Sequence, residues 1–86
     1  MNSRLNLVIT YHIARQYEKE LPHLKWLMKN APNNLQVLRL GIQAGTWTGE
    51  TDLAKVAFER LKEINPNAAP AAERFLKSPP ARPQPL

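Results

Sequence analysis

Apolar residues recur along this chain at spacings of three and four, which is the period of an amphipathic α-helix. The clearest stripe predicts a helix over residues 51–64, with charged side chains on its opposite face. Its apolar positions are Leu53, Val56, Ala57, Leu61 and Ile64. Weaker stripes predict helices over residues 4–19, 22–30, 35–45 and 70–77. The pattern therefore predicts an all-α fold.

Proline, asparagine and glycine mark the predicted helix ends. Pro22 suits the first position of the second helix, where the missing N–H of proline has no helical partner to lose. Asn33 or Asn34 is expected to cap the third helix. The segment Thr46–Glu50 contains glycine and is predicted to form the turn before the fourth helix.

The C-terminal residues 78–86 contain four prolines and cannot continue a helix. We expect them to form a disordered tail after a helical domain over residues 1–77. The segment Pro80-Ala-Arg-Pro83 has a PxxP spacing with an arginine, which is compatible with binding to an aromatic-lined groove. The alternative is a tail with no binding partner, because such short matches are common by chance.

Two similar segments, Ala31-Pro32-Asn33-Asn34 and Asn65-Pro66-Asn67-Ala68, lie 34 residues apart. This period is typical of solenoids in which each repeat is one helical hairpin that stacks on its neighbour. We therefore expect a right-handed stack of two antiparallel hairpins, over residues 1–34 and 35–68, and a capping helix over 70–77. Such folds usually need about three repeats. We accordingly expect this chain to be a domain of a longer protein.

The repeats resemble tetratricopeptide repeats. The residues that carry the resemblance are Leu7, Tyr11 and Leu24 in the first repeat and Leu38, Ala54, Phe58 and Pro66 in the second. The departures from the family pattern are Glu20, Gly41, Ile42 and Gly45. The resemblance implies a non-catalytic module that binds a protein or peptide. The inner positions lack the paired bases with which some family members hold acidic chaperone tails, so that function is not carried over.

In the family, the first helix of each hairpin lines the binding groove. The corresponding candidates here are Leu5, Ile9, His12, Gln36, Arg39 and Gln43. We expect the apolar members to contact an apolar or helical segment and Arg39 to orient an acidic group. An apolar inner surface on only two repeats also predicts self-association. Trp26 and Trp47 are candidate exposed anchors, although each could instead pack over a helix junction.

The chain has a net charge of +5, and most of it lies in the first half. Residues 1–48 carry six basic and two acidic side chains, a balance of +4. This half could bind nucleic acid or an anionic surface, or it could be an ordinary solvated basic face. The bases are scattered and form no continuous basic run, which makes nucleic acid the less favoured partner.

A second resemblance is to the C-terminal soluble segments of bacterial multi-pass membrane proteins, including O-antigen-ligase-like glycosyltransferases that modify pilins. It is carried by the stretches Asn33–Ile42 and Trp47–Gly49 and by the proline-rich end. It implies a domain that positions a protein substrate or a subunit, with catalysis elsewhere in the longer protein. Under this interpretation the domain would lie on the cytoplasmic or the periplasmic side.

Little in the sequence indicates catalysis. Cysteine is absent, which excludes disulfides and thiolate chemistry. His12 and His23 are the two histidines, and neither has a carboxylate at a metal-ligand spacing. We therefore predict no catalytic, cofactor-binding or metal-binding residue in this segment, and no small-molecule substrate. Neither the compartment nor the identity of the partner follows from the sequence.

Overall fold

In a computed structural model that describes residues 2–84, these residues form helices, turns and extended segments but no strand. The helices are α1 (Asn2–Ile13), α2 (Tyr17–Asn30), α3 (Leu35–Thr48), α4 (Thr51–Ile64) and α5 (Ala69–Lys77). A short 3-10 helix, Pro66–Ala68, joins α4 to α5. The all-α prediction is confirmed, and α4 has the predicted bounds. Within residues 2–84, no helix is long and apolar enough to cross a membrane.

The first helix ends at Ile13, before its predicted end, because the chain turns sharply at Arg15. Arg15 adopts the left-handed conformation, with φ of 61°. Its N–H donates to the carbonyl of His12 (3.0 Å), and the N–H of Gln16 donates to the carbonyl of Tyr11 (2.9 Å). These two bonds are those of the Schellman motif, which terminates a helix. This helix end was not predicted, because arginine occupies the position where glycine is usual.

Because α1 ends earlier than predicted, α2 also begins earlier, and this changes the position of Pro22 within the helix. Because α2 begins at Tyr17, Pro22 lies inside the helix and not at its first position as predicted. Proline cannot donate a hydrogen bond to the carbonyl of Glu18, four residues earlier. Both Pro22 and Glu18 are exposed, which leaves that carbonyl near solvent.

The start of α3 is capped by Asn34, which is one of the two predicted cap residues. The Asn34 side chain accepts hydrogen bonds from the N–H groups of Gln36 (2.9 Å) and Val37 (3.2 Å). A helix start leaves its first N–H groups without helical partners, and this cap satisfies two of them.

The end of α3 lies beyond the predicted position. The helix continues past Gly45 to Thr48, and Gly49 follows in the left-handed conformation with φ of 84°. The prediction that Trp47 lies in a turn was therefore wrong. Gly45 does not end the helix. Because glycine has no side chain, α3 packs closely against the start of α4 at this position: a Cβ on residue 45 would lie only 2.9 Å from the backbone nitrogen of Ala54.

Two apolar clusters form the core, and α3 contributes to both. The first cluster, between α1, α2 and α3, consists of Val8, Tyr17, Leu24, Leu27, Val37, Leu40 and Ala44. The second, between α3 and α4, consists of Leu38, Ile42, Ala57 and Leu61. Residues Ala72, Phe75 and Leu76 of α5 pack against the second cluster. The helix α3 is therefore the centre of the fold, with α2 and α4 beside it.

Residues 79–84 of the tail form neither helix nor strand, but they lie against the helical domain. This differs from the expected disordered tail. The prediction rested on the prolines, which exclude a helix, and the PxxP alternative with its arginine named no surface of this chain as the partner. Arg82 pairs with Glu18 of α2. The last two residues of the predicted tail lie outside the described part of the chain.

Candidate functional site

A groove of about 310 Å³ lies between α3 and α5, and we call it the α3–α5 groove. It is lined by Arg39, Ile42, Gln43, Leu61, Ala68, Ala71, Ala72 and Phe75. The small alanine side chains of α5 leave space that larger residues would fill. Arg39 is the one charged residue of this lining and is exposed. Within residues 2–84 it makes no ion pair. The groove is therefore apolar with one basic group at its rim.

The six predicted groove residues are divided between different environments. Arg39 and Gln43 lie together in the α3–α5 groove. Leu5 and Ile9 are partly buried and pack against the first core cluster. Gln36 is exposed on the first turn of α3. The sixth, His12, has a buried partner that is described next.

His12 is joined to a carboxyl group in the interior. Its Nδ1 lies 3.1 Å and 3.0 Å from the two carboxyl oxygens of Glu20, which has no exposed surface. Burial raises the pKa of Glu20 above its ordinary value, although the hydrogen bond from His12 opposes that shift. The pair links the end of α1 to the start of α2.

Three aromatic rings, Tyr17, Trp47 and Phe75, pack together where α2, α3 and α5 meet, and we call them the aromatic cluster. The centroids of Tyr17 and Trp47 are 4.8 Å apart, and those of Trp47 and Phe75 are 5.4 Å apart. His12 lies at the edge of Tyr17, at a centroid distance of 5.2 Å. Trp47 thus packs over a helix junction, which is the alternative to the exposed anchor that the sequence also allowed.

The tail crosses this cluster through polar contacts. The indole Nε1–H of Trp47 donates to the carbonyl of Pro80 (3.1 Å), and Arg82 donates to the Trp47 carbonyl (3.4 Å). The guanidinium of Arg82 also lies 5.4 Å from the ring centroid of Tyr17 and forms an ion pair with Glu18. We call Glu18, Tyr17 and Trp47 the tail site.

The electrostatics of the tail site favour the charged form of both partners. The hydrogen bond from Arg82 lowers the pKa of Glu18, and the same bond raises the pKa of Arg82. Burial, and then the nearby Glu20, raise the pKa of Tyr17. Of the residues that meet here, Arg82 was predicted as a possible ligand residue, whereas Glu18 and Tyr17 were not predicted. The late predicted end of α1 placed both on the wrong helix.

The other candidate anchor, Trp26, remains at the surface. Its side chain is 38% exposed, and the guanidinium of Arg4 lies 4.2 Å from its ring centroid. Arg4 also contacts His23, with 3.3 Å between the nitrogens. Together with Leu7 and Ser3, these residues line a shallow cavity on the outer side of α1 and α2. The first hairpin therefore presents an aromatic and basic surface to solvent.

Within residues 2–84, no group of three or more His, Asp or Glu side chains is placed to hold a metal ion. The chain matches no protein-family model, no curated protein and no solved structure.

Proposed function

We propose that this chain is a non-catalytic protein- or peptide-binding module of the tetratricopeptide type, with two stacked helical hairpins and α5 as the capping helix. The observation that carries this proposal is the α3–α5 groove, with its apolar floor and its basic rim at Arg39. The order of the helices supports it, because α1 with α2 and α3 with α4 form consecutive hairpins that contact each other through α2 and α3.

The ligand that fits this groove is an amphipathic segment that carries an acidic group. The exposed surface of the lining is largely apolar, so burial of apolar ligand side chains would supply most of the affinity. Arg39 has no acidic neighbour in the groove lining, and its guanidinium can bind a ligand carboxylate in two-point fashion. Gln43 lies one helical turn further along α3 and can bond a backbone group of the ligand.

Two labelled probe peptides test this function. Both carry leucine at spacings of three and four, and their remaining positions are glutamate in one and lysine in the other. We expect the glutamate peptide to bind about tenfold more tightly, because one charge-assisted hydrogen bond is worth roughly that factor. Arg39→Glu should reverse the preference. Lys29→Glu, which makes the same charge change on an exposed residue of α2, should leave it unchanged. Equal binding of both peptides to the wild type would contradict the proposal.

A second candidate function is binding of an anionic polymer by the first hairpin. The observation that favours it is that both acidic residues of the first half are engaged: Glu20 with His12 and Glu18 with Arg82. Within residues 2–84, Lys25 forms a 3.9 Å ion pair with Glu50 of α4, whereas Arg4, Arg15, Lys19 and Lys29 form none. Phosphate binding would make the affinity for an oligonucleotide fall steeply with salt, whereas binding in the apolar groove would depend weakly on salt. Titration with one labelled oligonucleotide at several salt concentrations separates the two functions.

A further inference from the structure

The segment Pro80–Pro83 has the composition of a peptide that aromatic-lined surfaces bind, and the structure supplies such a surface in the same chain. Residues 79–84 form no helix or strand, and their three prolines favour an extended backbone. The main-chain carbonyls of such a segment have no partners within the segment itself. Two of them accept bonds from the domain: Pro80 from the Trp47 indole (3.1 Å) and Gln84 from Arg15 (3.3 Å).

The contacts of Arg82 resemble those of a ligand side chain in a receptor. Its guanidinium lies over the ring of Tyr17, at 5.4 Å, and is paired with the carboxylate of Glu18. A cation above an aromatic face and a charge-assisted hydrogen bond are both sequence-selective contacts. They select arginine at one position of the segment, while the carbonyl contacts require only an extended backbone.

The tail site is held by the helical domain and not by the tail. Trp47 packs directly on Tyr17 and on Phe75, at centroid distances of 4.8 and 5.4 Å. Tyr17 belongs to the first core cluster, and the buried His12–Glu20 pair lies beside it. A surface whose rings contact one another in this way is preorganised, which lowers the entropic cost of binding an extended peptide.

We propose that the tail site, formed by Glu18, Tyr17 and Trp47, is a recognition site for extended proline-rich segments that carry an arginine. The chain's own tail occupies it in cis. In trans, the site takes a segment of the same chemistry from a protein partner, which must displace the tail. This site is separate from the α3–α5 groove, and the proposal does not depend on the function of that groove.

Peptide binding to the full chain tests this proposal when the charges of residues 82 and 18 are reversed in turn. The probe is a labelled peptide of residues 77–84 with blocked ends, and a second probe has glutamate in place of Arg82. The tethered tail of the wild type competes with the probe for the tail site at an effective concentration of about 1 mM. The wild type should therefore bind either probe weakly. The Arg82→Glu chain loses its tail contact and should bind the native probe at least about tenfold more tightly. The Glu18→Arg chain should bind only the glutamate probe.

Two controls and a local signal complete the test. Lys55→Glu makes the charge change of Arg82→Glu at an exposed position of α4 and should bind the probe as weakly as the wild type. In a Trp26→Phe background, Trp47 gives the single indole N–H resonance. The native probe should return that resonance of the Arg82→Glu chain to its wild-type position.

Equal affinity of the probe for the wild-type and Arg82→Glu chains would overturn the proposal. So would tight binding of the native probe to the Glu18→Arg chain. Sedimentation covers the remaining case. If the wild type is a dimer that Arg82→Glu separates into monomers, the tail occupies the site of a second copy, and the assignment in cis is wrong.

Discussion

His12 and Glu20 form a hydrogen-bonded pair across the turn between α1 and α2. The Nδ1 of His12 lies 3.0 Å from one carboxyl oxygen and 3.1 Å from the other, and Glu20 is fully buried. The side chain of His12 itself keeps 20% of its surface exposed. Because His12 also contacts the ring of Tyr17, the pair connects the core to one wall of the tail site. Stability and the shape of that site are therefore linked.

Removal of His12 alone should strongly destabilise the domain. His12→Leu leaves the Glu20 carboxyl buried without its partner, and breaking a buried pair in this way costs about 3–5 kcal/mol. A domain of this size has a total stability of only about 5 kcal/mol or slightly more, so the variant should be left with about 2 kcal/mol or less at room temperature.

The matched control for this variant removes both partners. His12→Leu combined with Glu20→Met replaces the pair by apolar side chains of similar volume and should recover most of the lost stability. Urea unfolding of the wild type, both single variants and the double variant measures the coupling between the two positions. A double variant whose loss of stability equals the sum of the two single losses would mean that the two residues act independently.

The pH dependence of stability should carry the signature of Glu20. Burial raises its folded-state pKa above the ordinary value, so over a range of pH the folded chain keeps a proton that the unfolded chain has lost. The stability that this group contributes is therefore fully present below its ordinary pKa and is lost as pH rises through the raised folded pKa.

Glu20→Gln removes the titration of this carboxyl group, because glutamine does not titrate. The free energy of unfolding of the wild type, minus that of Glu20→Gln, should decrease as pH rises from about 4 to about 7. Urea unfolding of the two proteins in one buffer series measures this difference. A difference that stays constant over the range, or that increases, contradicts the direction of the pKa shift.

Arg15→Gly should stabilise the domain. Arg15 holds the left-handed conformation that ends α1, and a side chain there costs roughly 1–2 kcal/mol relative to glycine. Arg15→Ala is the matched control, because it removes the same exposed contact with Gln84 and keeps a Cβ. We expect the glycine variant to be about 1 kcal/mol more stable than the alanine variant in urea unfolding. Equal stabilities would show that this turn is not strained.

The elements that the sequence predicted well are those with a regular apolar period and ordinary end signals. Helix α4 and the Asn34 cap belong to this class. The end of α1 could not be predicted, because a Schellman motif with arginine at its left-handed position has no local sequence signal. The error placed Glu18 on the first helix and Glu20 between the first two helices, although both lie on α2, and it concealed the partner of each.

The candidate sites were predictable only in part, for a different physical reason. Arg39 and Gln43 are one turn apart on α3, so helical spacing alone places them together. The tail site joins Glu18, Trp47 and Arg82, which are distant in the chain and meet through tertiary packing. Neither the spacing of residues nor the composition predicts tertiary contacts between such distant residues. A single sequence can therefore name Arg82 as a possible ligand residue without naming its receptor.

The two glycines inside α3 should respond differently to alanine. Alanine favours a helix over glycine by about 1 kcal/mol, so both substitutions gain that amount before packing is considered. A Cβ at Gly41 would lie 3.1 Å from the sulfur of Met28, which is on a flexible side chain and can move. A Cβ at Gly45 would lie 2.9 Å from the backbone nitrogen of Ala54 and from the carbonyl oxygen of Glu50. Backbone atoms at the start of α4 cannot move without shifting the helix.

We therefore expect Gly41→Ala to change stability by less than about 1 kcal/mol and Gly45→Ala to reduce it by about 1–3 kcal/mol. Gly49→Ala is a third point of comparison. Its Cβ would meet no atom within 4 Å, but its φ of 84° is strained for alanine, at a cost of roughly 1 kcal/mol. Thermal and urea unfolding of the three variants give the order of stability. If Gly45→Ala proved as stable as Gly41→Ala, the close contact between α3 and the start of α4 would not be what requires glycine at that position.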